Sequence, residues 1–141
     1  EKKGGYLSPF IFKNFKNNIK DSRKFFAKLR DSLQPSATVA GYGAARSGPT
    51  LAIQYDIVNI MSYIFDNHTS KCNKYSAFEN IKILPTEHIR IIKPDYIVIL
   101  AWIYTDKIIR ENIEYVKNGG KFITLWPEVS EINKKNLNMF L

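Results

Sequence analysis

Between Ser8 and Leu33 the apolar residues Phe15, Ile19, Phe26, Leu29 and Leu33 recur at helical spacing, with Lys16, Lys20, Lys24 and Arg30 falling largely between them. The spacing predicts an amphipathic helix that Pro35 ends. The period then changes. Thr38 to Tyr42 reads as a short strand, Thr50 to Tyr55 as a helix, and Met61 to Asp66 as a second strand ending in an acid. A polar connection without periodicity, Lys71 to Ser76, leads to a short apolar piece, Ile81 to Leu84, closed by Pro85. Glu87 to Lys93 predicts a brief helix, broken by Pro94-Asp95. Tyr96 to Trp102 is a continuous apolar run of the kind buried on both faces of a parallel sheet. Thr105 or Asp106 caps a helix through Val116, with Ile108, Ile109, Ile113 and Val116 facing the sheet. Asn118-Gly119-Gly120 stops that helix before the strand Lys121 to Trp126, and the tail from Ser130 to Leu141 is expected to be a final helix.

This alternation predicts an α/β fold: a Rossmann-like three-layer sandwich with a parallel sheet of about five strands in the order 3-2-1-4-5, preceded by the amphipathic helix. Residues 1–36 form the lead-in helix, packing on the domain, and residues 37–141 the α/β domain. No internal repeat or low-complexity segment competes with it.

Composition narrows the class. With 141 residues, 45% of them hydrophobic, the chain is about one domain with a real core. The net charge of +8 invites a nucleic-acid reading, yet the cations are spread along the chain apart from Lys13 to Arg30, where a solvated helix face accounts for them. A basic amphipathic helix can also lie on a membrane. Asp21, Asp31 and the core downstream favour packing against a sheet instead. The sequence carries no secretory signal and no apolar run of bilayer length, and the single Cys72 argues against a disulfide scaffold, so a reducing cytoplasm is expected, with no nucleic acid and no membrane as partners. The chain opens on Glu1 and enters periodic structure at once, as a piece of a longer protein would.

The candidate chemistry centres on Thr38 to Thr50, where a strand delivers a glycine-rich turn into a helix. Gly41 and Gly43 allow a sharp turn and close approach of a ligand, and the helix start offers free N–H groups to an anion. In the pattern G-x-G-x-x-G/A the third small residue falls at Arg46, and the next glycine is Gly48. No Gly-Lys-Ser/Thr follows, which excludes a Walker loop. Asp66 lies about 25 residues beyond Gly41, near the place where a dinucleotide-binding unit puts a carboxylate for a ribose diol; strand-end acids are also ordinary turn formers. Asn67 sits beside it. Trp102 is either core or cleft, Tyr104 is one step into the loop, and Glu128 after Pro127 either meets a sugar hydroxyl or punctuates a loop. Glu87-His88 reads as surface, since neighbours in a short helix point apart. The candidate binding set is therefore Gly41, Tyr42, Gly43, Ala44, Gly48, Thr50, Asp66, Asn67, Trp102, Tyr104 and Glu128, with no catalytic residue assigned.

Four motifs in order, Gly41 to Thr50, Phe65-Asp66-Asn67, Leu100 to Tyr104, and Gly119 to Ile123 with Pro127-Glu128, resemble the C-terminal domain of the bacterial S-adenosylmethionine-dependent sugar C-methyltransferases. The likeness runs from about Phe10 to Val129, with Arg46-Ser47 where the family often has a lysine just before the glycine. The resemblance implies a longer enzyme with a zinc-binding N-terminal domain and a central domain that holds S-adenosylmethionine and the catalytic base. There a base removes the proton next to a keto group, and the enolate attacks the methyl sulfonium. This chain is then implied to help bind the nucleotide-linked deoxysugar, to bind neither cofactor nor metal itself, to work beside the upstream methyltransferase domain, and to be inactive alone. One cysteine and two histidines are too few for the usual structural zinc site. The other reading is an autonomous Rossmann-fold enzyme or binding domain for NAD or S-adenosylmethionine.

Overall fold

The computed structural model describes residues 9–77 and 80–140. Helix α1 (Pro9–Ser32) leads into β1 (Val39–Tyr42), α2 (Gly48–Gln54), β2 (Met61–Asp66) and β3 (Lys82–Pro85). A 3-10 turn, Thr86–His88, opens α3 (Ile89–Ile92), followed by β4 (Tyr96–Ile99), the 3-10 turn Trp102–Tyr104, α4 (Thr105–Glu111), α5 (Ile113–Lys117), β5 (Lys121–Thr124) and β6 (Ser130–Ile132). The sheet order is β3-β2-β1-β4-β5-β6. The first five strands are parallel and β6 runs antiparallel to β5.

Period-two alternation divides the core. Val39, Met61, Ile64, Ile83, Val98, Leu100, Ile123 and Leu125 point to one face, where Phe26 and Leu29 of α1 and Ala52 of α2 cover them. Ala40, Tyr42, Phe65, Leu84, Ile97, Ile99 and Phe122 point to the other, against Ile89 of α3, Ile108 and Ile109 of α4 and Val116 of α5. This is the three-layer arrangement, with α1 pinned to it by two arginines: Arg23 Nε donates to the Gln54 carbonyl at 2.7 Å and Arg30 meets Asp56 at 2.9 Å.

Two expectations are corrected. The tail is not a helix: Ser130–Ile132 adds a sixth strand to the five expected, and a 3-10 turn, Leu137–Phe140, follows; Leu141 lies outside the described residues. The physical cause is Asn136, whose Nδ2 donates to the Glu131 carbonyl while its Oδ1 accepts from the Asn133 amide, a local turn that competes with helix propagation. The helix expected through Val116 is two, because Asn112 turns its amide back onto the Ile108 carbonyl at 2.8 Å and leaves helical backbone geometry (φ −122°, ψ 29°).

Candidate functional site

β1 and β4 are neighbours although not consecutive, so the sheet reverses its winding between them, and the loops that leave their carboxyl ends flank the crevice where open α/β sheets take ligands. The turn after β1 is held from both sides. The Gly43 amide donates to the Phe65 carbonyl at 2.7 Å, and the Leu100 and Ala101 amides donate to the Tyr42 carbonyl at 2.9 and 3.1 Å. Gly43 has φ +96°, and a Cβ there would lie 2.4 Å from the Ala101 Cβ. Gly41 is also buried, and its missing side chain leaves space filled by Leu100, Met61 and Ile64.

Asp66 ends β2 directly beneath this turn and is buried. Its Oδ2 accepts from the Ala44 amide at 2.7 Å and from Lys71 Nζ at 3.2 Å, and its Oδ1 accepts from the His68 amide at 2.8 Å. The carboxylate therefore stitches the glycine turn to the loop after β2 and aims Lys71. The Cys72 thiol donates to the Asp66 and His68 carbonyls, and His68 Nδ1 is hydrogen-bonded to Ser70 Oγ, which binds this loop together.

Between turn and loop lies a cleft of about 470 Å³. Gly43, Ala44, Arg46 and Gly48 form one wall, Ser70, Lys71, Lys74 and Tyr75 the other, and Ile64, Ile83 and Leu100 the floor. Three cations thus border one cleft, and among the described residues Arg46 and Lys74 have no ion-pair partner. An apolar floor under convergent cations suits a flat ring system carrying an anion.

The other candidates are dispersed. Tyr42 alternates to the opposite face of the sheet, hydrogen-bonded to Asn112, and borders a smaller hollow with Glu87 and Arg90; burial pushes its phenol upward. Thr50 and Asn67 are exposed and do not line the cleft. Trp102, Tyr104 and Glu128 border a separate hollow of about 660 Å³ beyond β4 and β5, with Trp126 and Pro127. Sequence reading missed Lys71, Lys74 and Tyr75 as cleft residues. Their signal was two lysines in the connection that leaves the strand beside the glycine turn.

The profile of the C-methyltransferase C-terminal domain family matches residues 1–127. The chain belongs to that family. The C-methyltransferase NovU of Streptomyces niveus is 30% identical over 116 residues, which cover 77% of this chain and 26% of that protein. This member of the C-methyltransferase C-terminal domain family thus spans about a quarter of the curated relative it matches. A solved structure, UDP-D-quinovosamine 4-dehydrogenase from Vibrio fischeri, is similar at 17% identity with a TM-score of 0.49, covering 72% of this chain and 97% of that one. Among the described residues, no helix is long and apolar enough to cross a membrane, and no group of His, Cys, Asp or Glu is arranged to hold a metal ion.

Proposed function

We propose that this domain holds the nucleotide part of a nucleotide-linked deoxysugar for a longer S-adenosylmethionine-dependent C-methyltransferase. The observation that carries the reading is the cleft beside the glycine turn, with Arg46, Lys71 and Lys74 around an apolar floor. A diphosphate lies against the three cations in this reading, and the base rests on the floor. Asp66 serves by fixing the Ala44 amide and Lys71, since its oxygens already accept three hydrogen bonds. Trp102, Tyr104 and Glu128 stand outside this contact because they border the second hollow. The methyl donor and a structural zinc belong to the remainder of the enzyme. Here the lone thiol and its nearest imidazole are engaged in the loop after β2, which does not fit a zinc site.

Titration calorimetry with a nucleoside diphosphate, a nucleotide-linked sugar, NAD and S-adenosylmethionine tests the proposal. The expected result is heat from the first two only, with an affinity of about millimolar, roughly 4 kcal/mol, because one domain supplies only part of the contact. Raising the salt concentration should weaken it, and Lys74→Ala should lower it further at unchanged melting temperature. Binding of S-adenosylmethionine or NAD without response to the nucleotides would instead support the autonomous reading.

A further inference from the structure

Seven large apolar side chains are strongly exposed among the described residues, and four of them gather in one place. Ile103 (71% exposed), Tyr104 (61%), Trp126 (43%) and Met139 (79%) all border the 660 Å³ hollow beyond β4 and β5. They come from three separate segments: the turn after β4, the end of the segment after β5, and the last 3-10 turn. Each segment is fixed. Thr105 Oγ1 donates to the Trp102 carbonyl at 2.7 Å, Thr124 Oγ1 donates to the Glu128 carbonyl at 3.3 Å, and buried Leu137 anchors the last turn. Trp102 lies 6.1 Å from Trp126, and behind this pair a smaller hollow of about 200 Å³ is lined by Leu51, Tyr55 and Leu125. Asp106, Lys107 and Glu128 supply a charged rim. An apolar centre rich in Trp and Tyr within a polar rim is the anatomy of a protein interface, and a patch held in place by packed segments loses little entropy on docking.

We propose that this patch is the docking face for another domain of the longer methyltransferase, whose apolar surface covers Ile103, Tyr104, Trp126 and Met139. The inference rests on the reading of this chain as one domain of such an enzyme. Length identifies the occupant: the match covers only 26% of the Streptomyces niveus relative, so most of such a protein lies outside this chain. Position agrees with it. The patch lies at the carboxyl ends of β4 and β5, the same end of the sheet as the glycine turn after β1, so a domain seated there closes over the end that carries the cationic cleft.

Hydrogen exchange on the longer protein and on this chain, with sedimentation of each, tests the assignment. Amides 102–107 and 137–140 should exchange about tenfold more slowly in the longer protein, and the chain alone should sediment as a monomer. In the longer protein, Ile103→Glu with Met139→Glu should abolish that protection, and Met139→Ser alone should reduce it; both residues are exposed, so the domain stays folded. Equal exchange in the two wild-type proteins overturns the proposal without reference to any variant. A chain that dimerises through these residues, with the double variant monomeric, assigns the patch to a second copy instead and also overturns it. The double variant of the chain alone should bind nucleoside diphosphate as the parent does. Loss of the nucleotide signal in the parent chain, with the protection intact, sinks the cleft assignment and leaves the docking face standing.

Discussion

Gly43 and Gly119 share the left-handed backbone that side chains rarely adopt, with φ of +96° and +100°, but differ in surroundings. A Cβ at 119 meets nothing within 4 Å, whereas one at 43 meets the Ala101 Cβ at 2.4 Å and its backbone nitrogen at 3.1 Å. Gly119→Ala should therefore cost about 1 kcal/mol, the conformational term alone. Gly43→Ala should cost roughly 3 kcal/mol or more, because the strands β1 and β4 must part to admit it. Urea denaturation of both variants reads this directly, and equal losses would show that close approach to Ala101 is not what fixes Gly43. The glycine turn is thus a structural joint as well as a ligand wall, and substitution there cannot separate binding from folding. Asp66→Ala removes the acceptor of two backbone amides and the partner of Lys71. It should destabilise by about 1–3 kcal/mol and raise hydrogen exchange at Ala44 and His68. An unchanged exchange pattern would mean that those amides do not depend on the carboxylate.

At the scale of elements, the turn after β6 is held by two asparagines: Asn136 both donates and accepts, and Asn133 Oδ1 accepts from the Lys135 amide while its Nδ2 donates to Glu131. Asn136→Ala removes both bonds, so we expect a loss of about 1–2 kcal/mol and faster exchange over 130–140, with β1 to β4 untouched. Uniform acceleration across the sheet would show instead that the tail is integral to the core. The same residue explains what sequence periodicity did not reveal. α1 carries enough apolar positions to display a period of 3.6, and β1 to β5 stand out as short apolar runs bounded by polar or turn residues, so their positions were legible. β6 has three residues and a single buried side chain, Ile132, too few to set a period, and the asparagines that make its turn also occur in helices. The helix expected through Val116 kept its apolar face across the break, so Ile108, Ile109 and Val116 face the sheet as expected while Asn112 interrupts the backbone. In the cleft, the glycine wall was legible from its spacing. The opposite wall, Lys71 to Tyr75, showed only as two lysines in the connection after β2, because an aperiodic loop has no period that says against which strand end it folds. Tyr42, a member of the candidate binding set, is turned by strand alternation to the face opposite the cleft.

The whole molecule holds several phenols in the neutral form. Burial raises Tyr115, outweighing the opposing hydrogen bond at Lys121; burial raises Tyr55; and burial raises Tyr42 against the lowering bond from Asn112, helped by the negative charges of Glu111, Asp66 and Glu87. Lys121 is also raised, chiefly by its hydrogen bond with the Tyr96 hydroxyl. The four shifts act in one direction. Below the ordinary tyrosine value of about 10, the phenols are protonated in both the folded and the unfolded chain, and their contribution to stability is fully present. Above it the unfolded chain releases protons that the folded chain retains, and stability falls as pH rises toward the folded values. Lys121 behaves alike, because its folded ammonium keeps a proton that the unfolded one loses. Unfolding free energies from urea denaturation should hold nearly level from pH 8 to about 9.5 and then decline, with a limiting slope of about 1.4 kcal/mol per pH unit for each group in its window. Tyr115→Phe loses the hydrogen bonds to the Lys121 backbone, so it should be less stable at pH 8, by about 1 kcal/mol. It should nonetheless show a shallower decline above pH 10, since one of the groups that releases its proton only on unfolding is gone. A variant that declines as steeply as the parent would mean that the Tyr115 phenol ionises in the folded protein as readily as in the unfolded chain.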